Sequence, residues 1–452
     1  MTKYLLRNTA LDILVRIDEG GGFSHLLIDQ AIKKKGLNSR DEGLLTEIVY
    51  GTLQRKLTLE YFLSHFVDKK RKLAPWVNML LYMSLYQMIY LDKVPDHAII
   101  HESVEISKKR GHRGISGLVN GILRNVQRKG VPNVDKIEDS VKRLSIKTSH
   151  PTWLTKRWMN MYGMDITEAI CETNLTHKPI SVRIQPMKIN KRDAVTQLED
   201  EGFEIEESIF SDQGLVVNKG NILHSTLFKN GYLTIQDQSS MLVAEMMEVE
   251  KGMTVLDACS APGGKTTHIA EKMLNEGNIH AYDLHDKKAK LVSKKALQLD
   301  LTIIEAKQAD SRELNHYHKN DTFDRILIDA PCSGLGVLRG KPDIKYNKAE
   351  SDIEKLASIQ LELLEKISPL LKGDGKIIYS TCTIDKAENE KVVQQFLTNH
   401  PEYQIDEGFF DELPEALRNS IGVTEWGLQL FPHEFNTDGF FLTRITKQIE
   451  TE

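Results

Sequence analysis

Thr254-Val255-Leu256-Asp257-Ala258-Cys259-Ser260-Ala261-Pro262-Gly263-Gly264-Lys265-Thr266 decides how the second half of the chain is read. A short apolar strand runs into a turn of small residues, and a helix follows. Small residues let the backbone come close to a ligand, and a helix start offers N–H groups without intrahelical partners. Gly264-Lys265-Thr266 looks like the end of a phosphate-binding loop, but that loop carries glycine five residues before its second glycine. Here the position is Cys259, and Pro262 removes an N–H from the turn. The stretch therefore reads against a nucleoside triphosphatase.

Working downstream, the runs IHAYDL, RILIDAP and KIIYSTCT are further short apolar strands ending in polar or small residues, with helical stretches between. This rhythm, from Gln236 onward, predicts an open, mainly parallel α/β sheet with helices on both faces. Ligands of such sheets sit beyond the carboxyl ends of the strands. Asp283 ends the second strand, about twenty residues after the glycine turn, where a carboxylate suits ribose hydroxyls. Asp310 follows AKQA. One strand-end aspartate is usually a turn or N-cap residue; two in series after a glycine turn point to a nucleoside-bearing cofactor. The fourth and fifth strands give Asp329-Ala330-Pro331-Cys332-Ser333-Gly334 and Ser380-Thr381-Cys382-Thr383. Cysteine is most often a small buried hydrophobe, yet both of these stand among polar and turn residues, so reactive thiols and packing residues remain equal readings of the spacing. Between the two turns, Ser351 and Glu354 form a capping-box pattern. Ile353, Leu356, Ile359, Leu363, Ile367 and Leu370 predict one apolar helix stripe, with Gly373 just past its end.

Working upstream, residues 1–140 read as all-helical. Ala10, Ile13, Leu14 and Ile17, then Leu44, Leu45, Ile48 and Val49, recur at helical spacing, punctuated by Gly20-Gly21-Gly22, Gly36 and Pro95. In residues 141–235, Pro151, Pro179 and Pro186 break the pattern. PISVRIQPMK and GLVVNKGNIL look like strands flanking a helix over 191–201, which predicts a small mixed α/β connector. Residues 236–447 complete a three-part plan, consistent with 452 residues at roughly 100–200 per domain. The net charge of −5 conceals a division: residues 1–147 carry 25 Lys and Arg against 16 Asp and Glu, a net +9, and the rest is −14. A basic module joined to an acidic one fits an enzyme that holds a polyanion with one part, although runs such as Lys33-Lys34-Lys35 and Lys69-Lys70-Arg71-Lys72 also read as solvated faces. The four cysteines, Cys171, Cys259, Cys332 and Cys382, show neither Cys-x-x-Cys nor metal-ligand spacing. They predict reduced thiols, a cytoplasmic protein and no metal. The first twenty residues read as an amphipathic helix and not a signal peptide. The apolar run Leu80–Leu91 holds Ser84 and Gln87, so it reads as a buried helix and not a membrane span.

Taken together, Asp257 to Thr266, Asp329 to Gly334 with Arg339 and Lys341-Pro342-Asp343-Ile344-Lys345, and Tyr379 to Thr383 with Glu388-Asn389 resemble the cytosine-C5 RNA methyltransferases of the NOL1/NOP2/Sun family. Gln236-Asp237-Gln238-Ser239-Ser240 and Pro432 with Asp438-Gly439-Phe440-Phe441 also resemble family segments, so the likeness spans about 236–445. Ser260 departs from the alanine common there. Leu80, Tyr86, Lys93-Val94-Pro95, His101-Glu102-Ser103-Val104-Glu105 and Val119 to Arg124 resemble the NusB-type RNA-binding helical fold. That fold joined to this catalytic domain is similar to bacterial small-subunit rRNA methyltransferases.

The resemblance implies a Rossmann-like class I catalytic domain that uses S-adenosylmethionine. Its pocket would comprise Cys259, Ser260, Ala261, Pro262, Gly263, Gly264, Lys265, Asp283, Asp310 and Asp329. The catalytic set would be Cys382 as nucleophile on cytosine C6, Cys332 in product release, Asp329 on the N3/N4 edge, and Lys265 steadying a thiolate or nearby charge. Analogy with the Pro-Cys of DNA cytosine methyltransferases would instead make Cys332 the nucleophile, and order along the chain does not separate the two. The implied partner is 16S rRNA, naked or in an early assembly intermediate, held mainly by shape and backbone charge. The protein would act as a monomer without a membrane. Rival expectations are a non-catalytic RNA-binding or assembly factor, methylation of another RNA, and an ATP- or GTP-dependent RNA enzyme.

Overall fold

The computed structural model describes residues 5–68 and 70–448. The start of the N-terminal amphipathic stretch and Lys69 of the basic run 69–72 thus lie outside the described residues. The chain divides into two compact units: residues up to Thr176 together with Leu338–Lys348, and His177–Val337 together with the chain from Ala349.

The first unit is helical. In Leu5–Asp18 and Ser39–Gln54 the residues at helical spacing, Ala10, Ile13, Leu14, Ile17, Leu45, Ile48 and Val49, are buried in one core. Each buried leucine, isoleucine or valine among them contributes roughly 1.5–3 kcal/mol. The helix Pro75–Tyr90, started by proline at its first position, is buried nearly all round. Its two polar interruptions are satisfied. Ser84 bonds Leu80 O at 2.6 Å and the Ser103 hydroxyl at 2.7 Å, and Gln87 accepts from Arg7 at 2.7 Å. Gly36 closes Ser24–Lys35 at φ 54°, so Lys33-Lys34-Lys35 forms that helix's last turn, where cations are favoured.

Two sequence boundaries shift. Residues 141–176, assigned above to the connector, are the helices Ser140–Thr148 and Thr152–Thr173 of the first unit, and Pro151 caps the second of them instead of breaking it. Lys341 to Lys345, assigned to the catalytic domain, also folds into the first unit. Lys345 donates to Gln54 O and Oε1 (3.0 and 3.1 Å), and Gln54 Nε2 donates to Leu338 O and Asn174 O (both 2.9 Å).

The second unit holds two sheets. β1 (Ile180–Ile184), β2 (Glu204–Glu207), β3 (Gly214–Lys219) and β4 (Leu233–Ile235) form an antiparallel sheet in the order β2-β3-β1-β4. The helix Lys191–Asp200 packs Ala194 and Leu198 against Val182, Ile184, Leu215 and Val217. The charged β2 and the three-residue β4 lack a hydrophobic run and were not foreseen.

The larger sheet contains β5 (Thr254–Asp257), β6 (Asn278–Asp283), β7 (Ile304–Gln308), β8 (Phe323–Asp329) and β9 (Leu371–Thr381), all parallel, in the order β7-β6-β5-β8-β9. β10 (Tyr403–Ile405), β11 (Val423–Thr424), β12 (Gly427–Leu430) and β13 (Phe440–Lys447) extend it beyond β9 with antiparallel pairing. Alternate residues feed two cores. Val255, Leu327 and Ile378 face one; Leu256, Ile326, Ile328, Ile377 and Tyr379 face the other.

The helix after β8 differs from its expected form. It runs Glu350–Ile367, and its start is satisfied by Asp352 accepting from Ala349 N (2.9 Å), not by Ser351 and Glu354. Its buried face is Ile353, Gln360, Leu363, Leu364 and Ile367, whereas Ile359 is 36% exposed. Gly373 lies inside β9.

Candidate active site

Strand order reverses between β5 and β8, and such a switch point opens a crevice at the carboxyl ends. The turn after β5 forms one wall. Gly263 sits at φ +94°, where a Cβ would meet Val292 at 3.2 Å, and its N–H donates to Ser260 O at 2.7 Å. Ser260 N and Oγ both donate to Tyr282 O (2.8 and 3.0 Å), so the residue that departs from the family's alanine ties the glycine turn to β6. The helix Gly264–Lys272 begins without a side-chain cap, which leaves its start able to receive an anionic group.

Asp257, the last residue of β5, accepts from Thr266 Oγ1 at 2.7 Å. Its Oδ1 is buried without a hydrogen-bond partner among the described residues. Burial pushes this carboxyl up to about 7, tempered by the Thr266 hydroxyl. The sequence reading gave Asp257 no role; its place as the last strand residue before the turn was the available signal.

Asp283 ends β6, buried, and accepts from His285 N at 2.9 Å. Asp310 starts the 3-10 turn Ser311–His316 and is held by the Arg312 guanidinium at 2.6 Å, which lowers its carboxyl below the usual range. It is thus an N-cap as well as a crevice residue. Burial, with the nearby carboxylates of Asp257, Asp329 and Asp283, pushes the Cys259 thiol up, so this sulfur stays protonated.

The opposite wall is the thiol pair. β8 and β9 are parallel neighbours, with Asp329 level with Ser380. The turns that follow bring Cys332 Sγ and Cys382 Sγ to 3.3 Å. Ala330 N donates to Ser380 O (2.8 Å), Gly336 N to Cys382 O (3.0 Å), and the Ser333 and Thr383 hydroxyls meet at 2.9 Å. Cys332 is raised by its hydrogen bond with Cys382, then by burial and the charge of Glu388. Lys265 and Asp329 join the walls: Nζ to Oδ2 is 2.8 Å, and Ser380 Oγ donates to Asp329 Oδ1 at 2.9 Å. Burial pulls the Lys265 amine down, but Asp329, Cys382 and Asp257 together hold it above its ordinary value, as a fixed cation. The structure therefore brings Lys265, Asp329, Cys332 and Cys382 together, with Cys259 to Gly264, Asp283 and Asp310 lining the β5–β7 side. The sequence reading quoted Glu388 within a motif but gave it no function.

Beneath the glycine turn, the connector supplies a buried charge. Arg183 of β1 pairs with Glu271 (Nε to Oε2 2.7 Å) and donates to Gly264 O at 2.8 Å.

A parallel sheet with a glycine turn at its switch point, facing a strand-end acid and paired thiols, defines a class I methyltransferase fold. Residues 244–446 match the family described as 16S rRNA methyltransferase RsmB/F, residues 5–128 match the NusB family, and residues 150–223 match the RsmF/B-like ferredoxin-like domain. The chain is 46% identical over 448 residues to the probable ribosomal RNA small subunit methyltransferase B of Bacillus subtilis (strain 168), covering 99% of this chain and 100% of the relative. It is 33% identical to the protein of the same description from Synechocystis sp. (strain ATCC 27184 / PCC 6803 / Kazusa), over 98% and 99% of the two chains. The solved structure of PH0851 is similar with TM-score 0.81 at 25% identity, covering 97% of this chain and 98% of that one. The chain belongs to the ribosomal RNA small subunit methyltransferase B family, and so to the SAM-dependent rRNA methyltransferases.

Proposed function

We propose that this protein methylates carbon 5 of a cytosine in 16S rRNA with S-adenosylmethionine, through a transient bond between Cys382 and C6. The observation that carries this reading is the pair of sulfurs 3.3 Å apart at the ends of adjacent parallel strands, beside the Lys265–Asp329 ion pair. Cytosine C5 is a poor nucleophile, and a thiolate added at C6 makes it enamine-like. Lys265 favours negative charge at Cys382, whereas Glu388 opposes it at Cys332. That asymmetry supports Cys382 as nucleophile.

The cofactor, when bound, would supply an electrophilic methyl group and keep the S–CH3 bonding pair, leaving as a neutral thioether. The uncapped helix start at Gly264 suits its carboxylate, Asp257 its ammonium, and Asp283 its ribose, with the turn from Cys259, Asp310 and Asp329 enclosing the rest. Asp329 accepts the cytosine N4–H and favours protonation at N3, which draws electrons from C6. The Cys382 thiolate forms the S–C6 bond as the C5=C6 pair shifts to C5, which takes the methyl. Cys332, its proton lost to solvent, then removes the C5 proton; the C5–H pair restores C5=C6 and the S–C6 pair returns to Cys382.

C6 is covered within a helical stack, so the target stands in a loop or is flipped out. Residues 1–140 and the connector 141–235 are assigned to flanking RNA, the 16S chain being naked or in an early assembly intermediate. The protein acts in the cytoplasm as a monomer. The test is transfer of labelled methyl to unmethylated 16S rRNA, with 5-methylcytosine mapped at one position. The Cys332→Ala protein should leave a protein–RNA adduct on denaturing gels, and Cys382→Ala should give neither adduct nor product. An adduct with Cys382→Ala alone would exchange the two roles.

A further inference from the structure

We infer that Glu388, together with Gln360, is the positioning device for the proton-accepting thiol: the two side chains grip the Pro331-Cys332-Ser333 turn from both sides and hold its sulfur against Cys382. This inference rests on the covalent reading above and adds to it the group that makes the release step possible.

Ser333 N donates to Glu388 Oε1 at 2.8 Å. Gln360 Nε2 donates to the same oxygen at 3.0 Å and to Pro331 O at 2.9 Å. Cys332 is thus bracketed by bonds to the residue before it and the residue after it. Gln360 lies on the buried face of the helix Glu350–Ile367, where an amide costs stability unless it is hydrogen-bonded; its Nε2 is met by Pro331 O and Glu388, while its Oε1 has no partner among the described residues. The grip explains a polar residue at a position the apolar stripe would give to a hydrophobe.

The neighbouring residue performs the complementary task. Asn389 accepts from Thr381 Oγ1 (2.5 Å) and donates to Thr383 O (3.1 Å), so it holds the turn that carries Cys382. Glu388-Asn389 therefore secures one sulfur turn with each side chain, and Tyr379 Oη anchors the pair by donating to Glu388 O at 2.6 Å.

Glu388 also acts through charge. Its Oε2 is buried without a hydrogen-bond partner among the described residues. Around Cys332 stand the Cys382 thiol, the Tyr379 phenol and Glu388, against one favourable backbone N–H, that of Gly334. Lys265 and Asp329 stand on the Cys382 side. Burial, with the charge of Asp385, raises the Glu388 carboxyl, and the bonds from Ser333 and Gln360 oppose that rise. In its charged form Glu388 keeps the proton on Cys332 while Cys382 attacks. Cys332 becomes a base only when deprotonated, and it then takes the C5 proton.

The experiment uses the full chain, S-adenosylmethionine and unmethylated 16S rRNA, with adduct formation and release timed separately on denaturing gels. Cys332→Ala first sets the signature of blocked release; if it traps no adduct, the covalent reading and this inference fall together. With that signature in place, Glu388→Ala should trap adduct, with release about 10- to 100-fold slower and formation much less affected. Gln360→Ala should do the same more weakly, and it decides the matter if thermal melts show Glu388→Ala unfolded. Glu388→Gln keeps an acceptor oxygen for Ser333 and Gln360. It should restore most of the release rate while moving the pH at which release becomes fast to lower values, because a negative neighbour of Cys332 is gone. Release at the wild-type rate in both alanine variants would overturn the inference. So would equal losses in formation and release with an unmoved pH profile in Glu388→Gln.

Discussion

The two halves of the sheet's carboxyl edge satisfy their polar groups in opposite ways. Beyond β8 and β9 the backbone groups of the turns are used, and the buried oxygens left over, Glu388 Oε2 and Gln360 Oε1, stand on the side chains that hold the Cys332 turn. The two sulfur turns are bonded to each other at Ala330–Ser380, Gly336–Cys382 and Ser333–Thr383, and Gly439 N reaches Gly336 O at 2.8 Å. Beyond β5 the groups are left over: an uncapped helix start and a buried Asp257 oxygen without a partner. Where an unmet buried group and a free helix start lie together at a crevice, a ligand can supply the partner. One half is built to hold reacting atoms still, and the other to receive a ligand. Lys265 and Asp329 are the hinge between them.

The sharpest way to break this contrast is in the rigid half. Cys382→Ser should keep the turn bonded, since the bond from Gly336 N to the carbonyl of residue 382 remains, yet reduce methyl transfer by about 10⁴-fold or more, as loss of a nucleophile does elsewhere. Single-turnover transfer of labelled methyl to 16S rRNA measures it. Cofactor affinity by calorimetry should change little; a large loss there would show that the halves are not separable.

Next in size is the hinge. Lys265→Met leaves Asp329 without its cation and removes the positive charge beside Cys382. The expected loss is about 10²- to 10³-fold in kcat, the scale for a preorganised electrostatic group. The alkaline shift of the rate profile should accompany it, because a thiolate at Cys382 is then less favoured. A rate loss without that shift would assign Lys265 to binding alone.

A third effect falls on stability under the ligand half. Arg183 is buried, and it donates to Glu271, Thr267 and Gly264 O, all of the helix whose start forms the glycine turn, and to Gln236 Oε1 outside it. Arg183→Met leaves Glu271 buried without its cation, with Gln213 Nε2 still donating to it at 3.1 Å, at a cost of about 3–5 kcal/mol. Denaturant melts read this directly. A replacement that also removes the acid, Arg183→Met with Glu271→Met, should recover much of it.

These contrasts were unevenly legible in the sequence. The parallel strands were readable because each is a short apolar run ending in a small or polar residue, and the alternation that feeds two cores needs no distant information. The sulfur pair was readable as two strand ends, but its 3.3 Å separation was not, because register between β8 and β9 is set by pairing. Arg183, in β1, and Lys178, just before it, were invisible: a lone cation looks exposed until its carboxylate, 88 residues away for Arg183 and 59 and 260 for Lys178, is brought to it. The packing of Lys341 to Lys345 was not legible for a related reason. Lys345 and the adjoining Tyr346 bond Gln54 and Leu53, 291 and 293 residues earlier in the chain, although the segment lies within the stretch that matches the methyltransferase family. The stripe of the helix Glu350–Ile367 departed from expectation at Ile359, which is 36% exposed, and passed over Gln360, which is buried and donates to Pro331 O.

The smallest effect tests the leftover oxygen of Asp257. Its carboxyl is raised to about 7, chiefly by burial, against 3.8 for an exposed aspartate. A raised folded-state value means the folded protein binds this proton more tightly than the unfolded chain. The stabilisation is therefore complete below about pH 4 and is lost as pH rises through about 7. Without cofactor, the protein should lose stability across that interval, and Asp257→Asn, which cannot titrate, should flatten the slope. A cationic ammonium beside Oδ1 would reverse the preference by stabilising the carboxylate. Wild-type affinity for S-adenosylmethionine should then fall by less than about tenfold between pH 8 and 6, and the asparagine variant should bind more weakly but without that dependence. Melting curves with and without cofactor across this range measure both slopes. If the two proteins respond to pH in parallel, the unmet oxygen is a packing feature and the ligand half loses its clearest mark.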